Sequence, residues 1–289
     1  MIDKNEIQEI DAETIELFAR AKIEWRQNKE SIFRDNFEGI MGQPQAKVVS
    51  FSRTIIRLVI AASLLIVVSL TLASVFYTKT IYCPAGRHLT AQLPDGSRVE
   101  MNAETRLKYY PWRWYFQRKL ELDGEAFFSV QKGEKFTVKS KLGETSVLGT
   151  TFNIFSRDDS YHVLCLTGKV NVKSLTGESV ILLPNQRVAI QAGKLTSPET
   201  HSQPENIISW REDRFLFSSA PFPEVISEIE RQFGVNITSD QRLTGVISIS
   251  FRKEPDLDKI LTMVCKPLGY DFVKLSDKNY RITKSNNNK

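Results

Sequence analysis

The longest apolar run in the chain, residues 58–77, reads LVIAASLLIVVSLTLASVFY and contains no charged side chain. Twenty residues at a rise of 1.5 Å per residue make a helix about 30 Å long, which matches the hydrocarbon core of a bilayer. A cleaved signal peptide is the alternative, but its apolar core is shorter and follows a short basic leader, whereas 57 residues precede this run. The pattern therefore predicts one retained transmembrane helix over residues 55–77.

Basic residues flank this run unequally. Lys47, Arg53 and Arg57 lie before it without an intervening acid from residue 43 onward, whereas Lys79 alone follows closely. Cytoplasmic flanks of membrane helices carry an excess of Lys and Arg. The asymmetry predicts an amino terminus in the cytoplasm and the larger remainder of the chain across the membrane.

Residues 1–52 carry apolar side chains at helical spacing. Ile7, Ile10, Leu17, Phe18, Ala21 and Trp25 recur on one stripe, and Ile32, Phe33 and Phe37 form a second apolar cluster. A segment of this size buries little by itself, so we expect its apolar face to bind a protein partner; a small self-packed helical hairpin is the alternative. The candidate contact residues are Ile10, Leu17, Phe18, Trp25 and Phe33.

From residue 89 onward the pattern changes to short runs that alternate apolar and polar side chains and are separated by turn residues. Pairs such as Asp95-Gly96 and Asp123-Gly124 suit hairpin turns or bulges, at spacings too short for intervening helices. The pattern predicts an all-β, mainly antiparallel domain over residues 83–191, either a sandwich or a β-solenoid. Residues 192–209 contain two prolines and have no sustained period, which indicates a linker.

The last part of the chain mixes both periods. Strand-like runs over residues 214–217, 235–238 and 246–251 are interleaved with two helix patterns, and two further strand-like runs follow. The predicted order is β-α-β-β-α-β-β, which makes an α+β domain over residues 210–284. The whole chain is therefore expected to be mixed and multi-domain.

Charge and composition exclude several function classes. The 39 basic and 34 acidic residues are spread along the chain without a basic block, which argues against direct binding to nucleic acid. The three cysteines have no C-x-x-C spacing, and His88, His162 and His201 stand apart. Since the motifs H-E-x-x-H, G-x-S-x-G and the phosphate-binding glycine loop are also missing from the sequence, we expect no enzyme activity, no metal and no cofactor.

Five segments resemble, in order, the periplasmic domain of the FecR family of anti-sigma factors. They are LPDGSRVEMNAETRLKY, LELDGEAFFSV, TSVLGTTFNIF, LTGKV and LLPNQRVAI, within residues 90–190. The unit from residue 214 resembles the small C-terminal domain that accompanies this family in Bacteroidota. The matching motif residues are Asp95, Gly96, Asn102, Gly124, Glu125, Phe127, Gly149, Thr150, Phe152 and Gly168.

The resemblance implies a regulator of the inner membrane. Such proteins hold an extracytoplasmic-function (ECF) sigma factor through their cytoplasmic segment and receive a signal in the periplasm from a TonB-dependent outer-membrane transducer. An external contact would then alter the membrane span or expose it to an intramembrane protease. The alternative is a membrane-tethered periplasmic carbohydrate-binding or adhesion module.

The motif residues themselves admit structural explanations. Asp95 and Gly96 suit a tight turn, and Asn102 suits a local hydrogen bond in another. Phe127 and Phe152 are expected in the core together with Phe128 and Phe155, although strand alternation sends the two members of each pair to opposite faces. Part of that apolar surface is therefore expected to meet another element or a partner.

Two segments have competing interpretations. In some members of the family a Gly-Thr bond cleaves itself, and Gly149-Thr150 is the matching pair; a β-bulge glycine is the alternative. Residues 109–119, YYPWRWYFQRK, interleave aromatic and basic side chains. Such a segment could stack on bases or sugars or lie on a membrane, but a position outside the cytoplasm argues against nucleic acid. Strand and turn packing with Pro111 at an edge is the first interpretation, and a contact surface for a periplasmic partner is the alternative.

Overall fold

The computed structural model describes residues 12–21, 28–37, 52–254 and 256–285. The chain divides into two compact units, Met1–Ser63 and Leu64–Lys289. A single long helix begins in the first unit and ends in the second.

Two short helices precede the long one, α1 (Ala12–Arg20) and α2 (Lys29–Phe37). Glu16 and Arg20 approach to 3.6 Å at i,i+4 spacing, and the rings of Phe33 and Phe37 stack at 4.8 Å on α2. No residue of α2 is buried. The N-terminal segment is therefore helical where it is described, as the periodicity predicts, and it leaves apolar side chains uncovered.

The helix α3 (Arg53–Phe76) has 24 residues and is long and apolar enough to cross a membrane. None of its residues is buried by the rest of the protein. Ser63, Ser69, Thr71 and Ser74 each donate their hydroxyl to a carbonyl three or four residues earlier, at 2.8–2.9 Å. These hydroxyls therefore need no water, which suits a helix surrounded by lipid.

Only residues 77 and 78 separate α3 from a largely β part. Its strands are β1 (Lys79–Cys83), β2 (Leu89–Gln92), β3 (Arg98–Met101), β4 (Thr105–Tyr109), β5 (Arg118–Ser129), β6 (Phe136–Lys139), β7 (Gly143–Val147), β8 (Thr151–Arg157), β9 (Ser160–Thr167), β10 (Val170–Ser174), β11 (Ser179–Leu182), β12 (Gln186–Gln191), β13 (Lys194–Leu195) and β14 (Glu199–Thr200). We call these strands the body.

The long strand β5 belongs to both halves of the body sheet. Its first half pairs with β4 and β6, and its second half pairs with β3 and β8. The sheet thereby curls over one core, in which Phe128 stacks on Phe152 at 4.9 Å and contacts the edge of Phe136. β5 runs parallel to β6, an exception to the expected antiparallel pairing.

Gly124 lies at the point where β5 passes from one half of the sheet to the other. Its φ is +119°, and a Cβ there would lie 2.7 Å from the Cα of Thr105. The Thr105 hydroxyl in turn donates to the Glu125 carbonyl at 3.0 Å and accepts from the Glu125 amide at 3.1 Å. Only glycine allows β4 and β5 to approach this closely.

The segment expected as a linker is held against the body. β13 and β14 pair with β12, and two 3₁₀ turns follow, Pro204–Asn206 and Ser209–Glu212. Trp210 is buried in the second turn, where its ring meets the edge of His88 at 5.3 Å.

The C-terminal domain consists of two helices and two small sheets. Its elements are β15 (Arg214–Pro221), α4 (Phe222–Phe233), β16 (Asn236–Ser239), β17 (Val246–Arg252), α5 (Leu257–Cys265), β18 (Tyr270–Ser276) and β19 (Asn279–Lys284). β15 pairs with β17, whereas β19 lies between β16 and β18. The Asp256 carboxylate caps α5, and Gly234 ends α4 with a left-handed φ of 65°.

We predict that Gly124→Ala destabilises the body by roughly 3 kcal/mol or more, because the added methyl group collides with the backbone of β4. Gly177→Ala is the matched control: its φ is +95°, but nothing lies within 4 Å of the added Cβ, so it should cost about 1 kcal/mol. Urea unfolding of the full-length chain in detergent, followed by tryptophan fluorescence, measures both. Equal losses would show that backbone conformation alone, and not the contact with Thr105, requires glycine at 124.

Candidate functional site

The Asp95 turn is an ion-paired anchor at one edge of the body. The Asp95 carboxylate accepts from the Ser97 amide at 3.1 Å and from the Arg118 Nε at 2.7 Å. The Arg118 side chain, 10% exposed, also donates to the carbonyls of Gln131 and Glu134 at 2.8 and 2.7 Å. The acidic turn residue therefore positions an arginine that connects its own turn to the β5–β6 loop, and Gly96 completes the turn with φ +82°.

A second motif cluster surrounds the buried carboxyl group of Glu125. Asn102 donates to it at 2.8 Å, and Asn153 on the neighbouring strand donates at 2.9 Å. All three residues are at least nine-tenths buried. Alternation in β5 and β8 turns Glu125 and Asn153 away from the body core and toward the C-terminal domain.

Helix α4 of the C-terminal domain completes this cluster. The Gln232 amide donates to Asn102 Oδ1 at 2.6 Å and to Glu228 Oε1 at 2.8 Å, and it lies 3.0 Å from His88 Nε2. Gln232 is 1% exposed. Since Asn102 contacts both Glu125 and Gln232, one asparagine connects the centre of the body to the C-terminal domain.

Phe127 forms the other principal contact between these two parts. It belongs to the apolar cluster of the C-terminal domain, whereas its neighbour Phe128 belongs to the body core. The Arg211 guanidinium lies over the Phe127 ring at 3.8 Å and forms two hydrogen bonds to Glu100, at 2.7 and 2.9 Å. The two faces of β5 thus meet two different elements, the arrangement that its alternating pattern predicts.

Burial perturbs the ionisation of this cluster. Desolvation, with a smaller contribution from the nearby Glu228 carboxylate, raises the pKa of Glu125 to about 7, and the asparagine hydrogen bonds and Arg157 oppose the shift. Asn153 Oδ1 has no hydrogen-bond partner. An amide carries its donor nitrogen and its acceptor oxygen at equivalent positions, so a half-turn of the Asn153 amide would let this oxygen accept a hydrogen bond from the O–H of a neutral Glu125.

The Gly149-Thr150 pair lies in a tight crossing beside another loop. Gly149 has φ +152°, and a Cβ there would lie 2.7 Å from the Cα of Lys132. The Thr150 hydroxyl donates to the Lys169 carbonyl at 3.2 Å, and Gly168 leaves room for it. Close packing accounts for glycine at both positions, while self-cleavage at this bond stays a prediction.

The expected partner-binding residues are placed only in part. Leu17 on α1 and Phe33 on α2 are 73% and 60% exposed. Ile10 and Trp25 lie outside the described residues, as does the side chain of Phe18. The described members therefore present apolar surface to solvent.

Residues 110–117 form a turn that we call the aromatic turn. Trp114 is buried at its base against Tyr109 and Phe136, whereas Tyr115 and Phe116 are 82% and 89% exposed. Arg113 donates to the carbonyl of Val75, near the end of α3, at 3.0 Å. The turn thus has one packed residue and an exposed aromatic tip beside the exit of the long helix.

Several residues at the contact between the body and the C-terminal domain are not among the site residues predicted from the sequence. They are Thr105, Asn153, Arg157, Arg211, Glu228 and Gln232. A usable signal existed for two of them: Gln232 follows Ile229 on the apolar stripe of α4, and Asn153 interrupts the apolar run FNIF. Among the described residues, no group of three or more His, Cys, Asp or Glu is arranged to hold a metal ion.

Comparison with known proteins identifies both parts of the larger unit. The family models "FecR protein" and "FecR, C-terminal" match residues 79–171 and 214–282, which together exceed half of the chain. The chain therefore belongs to the FecR family and carries its C-terminal domain.

Two solved structures resemble the chain. Both are crystal structures of a "putative anti-sigma factor" from Parabacteroides distasonis ATCC 8503, at 2.50 and 1.65 Å. They are 25% and 26% identical, with TM-scores of 0.66 and 0.65; each match covers 72% of this chain and 100% or 99% of the other. Among curated proteins none matches the chain.

These similarities support an anti-sigma-factor-like regulator, which is a non-enzymatic kind of protein. Together with the one apolar helix near the amino terminus, they fit a single-pass protein of the inner membrane.

We predict that stability depends on pH through Glu125. The pKa of Glu125 is about 7 in the folded protein, above the 4.5 of an unperturbed glutamate. A pKa raised in this way contributes stability that is fully present below pH 4.5 and is lost as the pH rises through 7. The loss should be of order 3 kcal/mol between pH 4.5 and 8. Urea unfolding at several pH values should show that Glu125→Gln removes this slope.

Glu121→Gln is the matched control, because Glu121 lies on the same strand but is exposed and paired with Lys108 at 3.5 Å. It should leave the pH dependence of unfolding intact. The same slope in Glu125→Gln and wild type would contradict the assignment to Glu125.

Proposed function

We propose that this chain is a transmembrane anti-sigma factor. Residues 1–52 bind an ECF sigma factor in the cytoplasm, and the body with its C-terminal domain receives a signal in the periplasm from a TonB-dependent outer-membrane transducer. The main support is the order of elements along the described chain: helices with exposed apolar side chains come first, an apolar helix of membrane length follows, and a FecR-type body comes last.

The uncovered side chains of α1 and α2 support a protein partner. Ile15 and Leu17 on α1 are 59% and 73% exposed, and Phe33 and Phe37 on α2 are 60% and 47% exposed. Complete burial of one such side chain contributes about 1.5–3 kcal/mol. An amphipathic helix that docks in an apolar groove gains this energy without a large interface.

Charges around α3 support the orientation. Arg53 and Arg57 lie in its first turns, whereas its last turn has no basic residue and Lys79 follows in β1. The positive-inside rule then puts α1 and α2 in the cytoplasm and the body in the periplasm.

Competition explains how such a protein would regulate transcription. A sigma factor bound to α1 and α2 cannot present the covered part of its surface to RNA polymerase. Release from the two helices makes this surface accessible again. The periplasmic signal must therefore shift an equilibrium between two states of the span, or expose the span to an intramembrane protease.

The position of the aromatic turn supports a contact with membrane lipid. Lys79 lies opposite Tyr109 in the pairing of β1 with β4, so the turn leaves the sheet at the level where α3 enters it. Arg113 also lies over the Phe76 ring at 5.2 Å. Exposed aromatic rings at this level suit the head-group layer.

A tethered carbohydrate-binding or adhesion module would use the same exposed rings, including Trp112, which is 58% exposed. Their place beside the end of α3 favours lipid, because a ring in the head-group layer is not free to stack on a distant sugar.

We predict that the double variant Leu17→Arg, Phe33→Arg loses its sigma factor. An ECF sigma factor should co-purify with the wild-type full-length chain, and the variant should retain at most roughly a tenth of it, because two apolar anchors are replaced by charges. Quantitative mass spectrometry of the purified complex measures this ratio.

The matched control is Glu16→Arg, Glu30→Arg, which puts the same side chains on exposed polar positions of the same two helices. It should retain the sigma factor. The proposal fails if no ECF sigma factor accompanies the wild type, or if both double variants bind equally.

We predict that a cysteine at position 115 reports both orientation and lipid contact. The three native cysteines are buried and free, and burial raises the pKa of Cys165 to about 11 and that of Cys265 to about 12, so they should react slowly. Tyr115→Cys should react in intact spheroplasts with a membrane-impermeant maleimide. An environment-sensitive fluorophore attached there should emit at shorter wavelength than in water.

Leu175→Cys serves as the control, because Leu175 is 73% exposed in the β10–β11 turn, which the pairing of Ser174 with Gly143 puts at the opposite end of the sheet. It should be labelled equally but emit as in water. Labelling of both positions only after lysis would contradict the orientation, and equal emission would contradict lipid contact.

A further inference from the structure

A cleft of about 840 Å³ lies between the body and the C-terminal domain. Strands β5, β8, β9 and β12 form one wall, and the second 3₁₀ turn, β15 and α4 form the other. Its volume lies in the range of small-molecule sites in proteins. The cleft is also open to solvent along its rim, where Asp158, Asp159 and Glu224 are exposed.

Unpartnered polar atoms concentrate on the residues of this cleft. Seven buried side-chain N or O atoms in the described part of the chain have no hydrogen-bond partner, and five of them belong to cleft residues. They are Asn153 Oδ1, Arg157 Nε, His162 Nδ1, Trp210 Nε1 and Arg214 Nε. Each of these atoms has less than 1 Å² of accessible surface, so they lie behind the cleft lining, and a ligand would have to be held by accessible groups such as the partly exposed Arg187.

Two arginines of the cleft lack a carboxylate partner. Neither Arg157 nor Arg187 forms an ion pair within 4.0 Å among the described residues, although Arg157 donates to the carbonyls of Ala103 and Glu104. Desolvation lowers the pKa of both guanidinium groups. Glu199, which lies opposite Arg187 in the pairing of β12 with β14, is its main acidic neighbour but does not form an ion pair within 4.0 Å, so a bound anion would give this partly buried cation a direct partner.

The acidic groups of the cleft do not cancel these charges. Glu228 is paired with Arg231 at 2.8 Å, and burial favours the neutral form of Glu125. His162 is also neutral, because desolvation and Arg187 lower its pKa to about 4. The inner wall is therefore cationic, while the free carboxylates lie at the solvated rim.

We propose that this cleft binds a small organic anion, with Arg187 as its cationic contact, because Arg157 is engaged by the Ala103 and Glu104 carbonyls and Arg214 is paired with Glu212 at 3.4 Å. The guanidinium fork suits a planar or tetrahedral oxyanion, that is, a carboxylate or a phosphate. Trp210 and Phe155 supply flat apolar surface for the rest of the molecule.

Such a ligand would contact both walls at once. Arg187 comes from the body, whereas Trp210 belongs to the other wall. A ligand that binds only the closed arrangement stabilises that arrangement by mass action. The cleft therefore gives the periplasmic part a means to respond to a dissolved compound as well as to a protein.

The experiment uses the full-length chain in detergent at constant ionic strength, with citrate, glucuronate and inorganic phosphate as probes and glucose as the neutral comparison. Isothermal titration and thermal unfolding should show saturable binding of at least one anion, and none of glucose. A preference for citrate or glucuronate assigns the oxyanion as a carboxylate, and a preference for phosphate assigns it as a phosphate ester; both support the proposal.

Arg187→Gln should weaken the best probe by roughly tenfold or more, because one charge-assisted contact is lost. Arg242→Gln, at an exposed position outside the cleft, should bind as the wild type does. The proposal is overturned if none of the three anions binds the wild type, if glucose binds equally well, or if Arg187→Gln binds as tightly as the wild type. Unfolding of Arg187→Gln without probe checks that the variant remains folded.

Discussion

The burial of the second half of β5, residues 124–128, on both faces is the constraint on which the body and the C-terminal domain depend. A strand covered on both sides is normally apolar, yet this one retains Glu125 with 7% of its surface exposed. An unsatisfied carboxyl group at such a site would be severely destabilising, so Asn102 and Asn153 must lie where they can donate to it. Gln232 is then fixed in turn, because it donates to Asn102.

The contact between the two domains is specific because it is polar at its centre. Two purely apolar surfaces can slide past each other at little cost. Arg211, by contrast, stacks on Phe127 and pairs with Glu100 at the same time, which fixes the relative position of the two domains. Separation of the domains would expose Phe127 and break the hydrogen bond between Asn102 and Gln232. These are the contacts that any second arrangement of the two domains would have to replace.

Much of the architecture can be predicted from patterns along the chain. The polar contacts between the body and the C-terminal domain cannot. The run over residues 58–77 specifies a membrane-length helix because no charge interrupts it, and alternation sends Phe127 and Phe128 to opposite faces. Alternation does not identify the partner on the second face, so the contacts of Gln232 and Arg211 with the body, more than 80 residues away along the chain, could not be inferred. Residues Ile10 and Trp25 stay predictions because they lie outside the described residues.

Two residues, Tyr77 and Thr78, connect α3 to β1. Even fully extended, such a connector spans only about 7 Å. The hydrogen bond from Arg113 to the Val75 carbonyl also joins the body directly to α3. A displacement or rotation of the sheet must therefore displace or rotate the end of α3 as well. Under the proposed function, a signal from the sheet would therefore reach the membrane helix as mechanical load, and not through diffusion of a tethered domain.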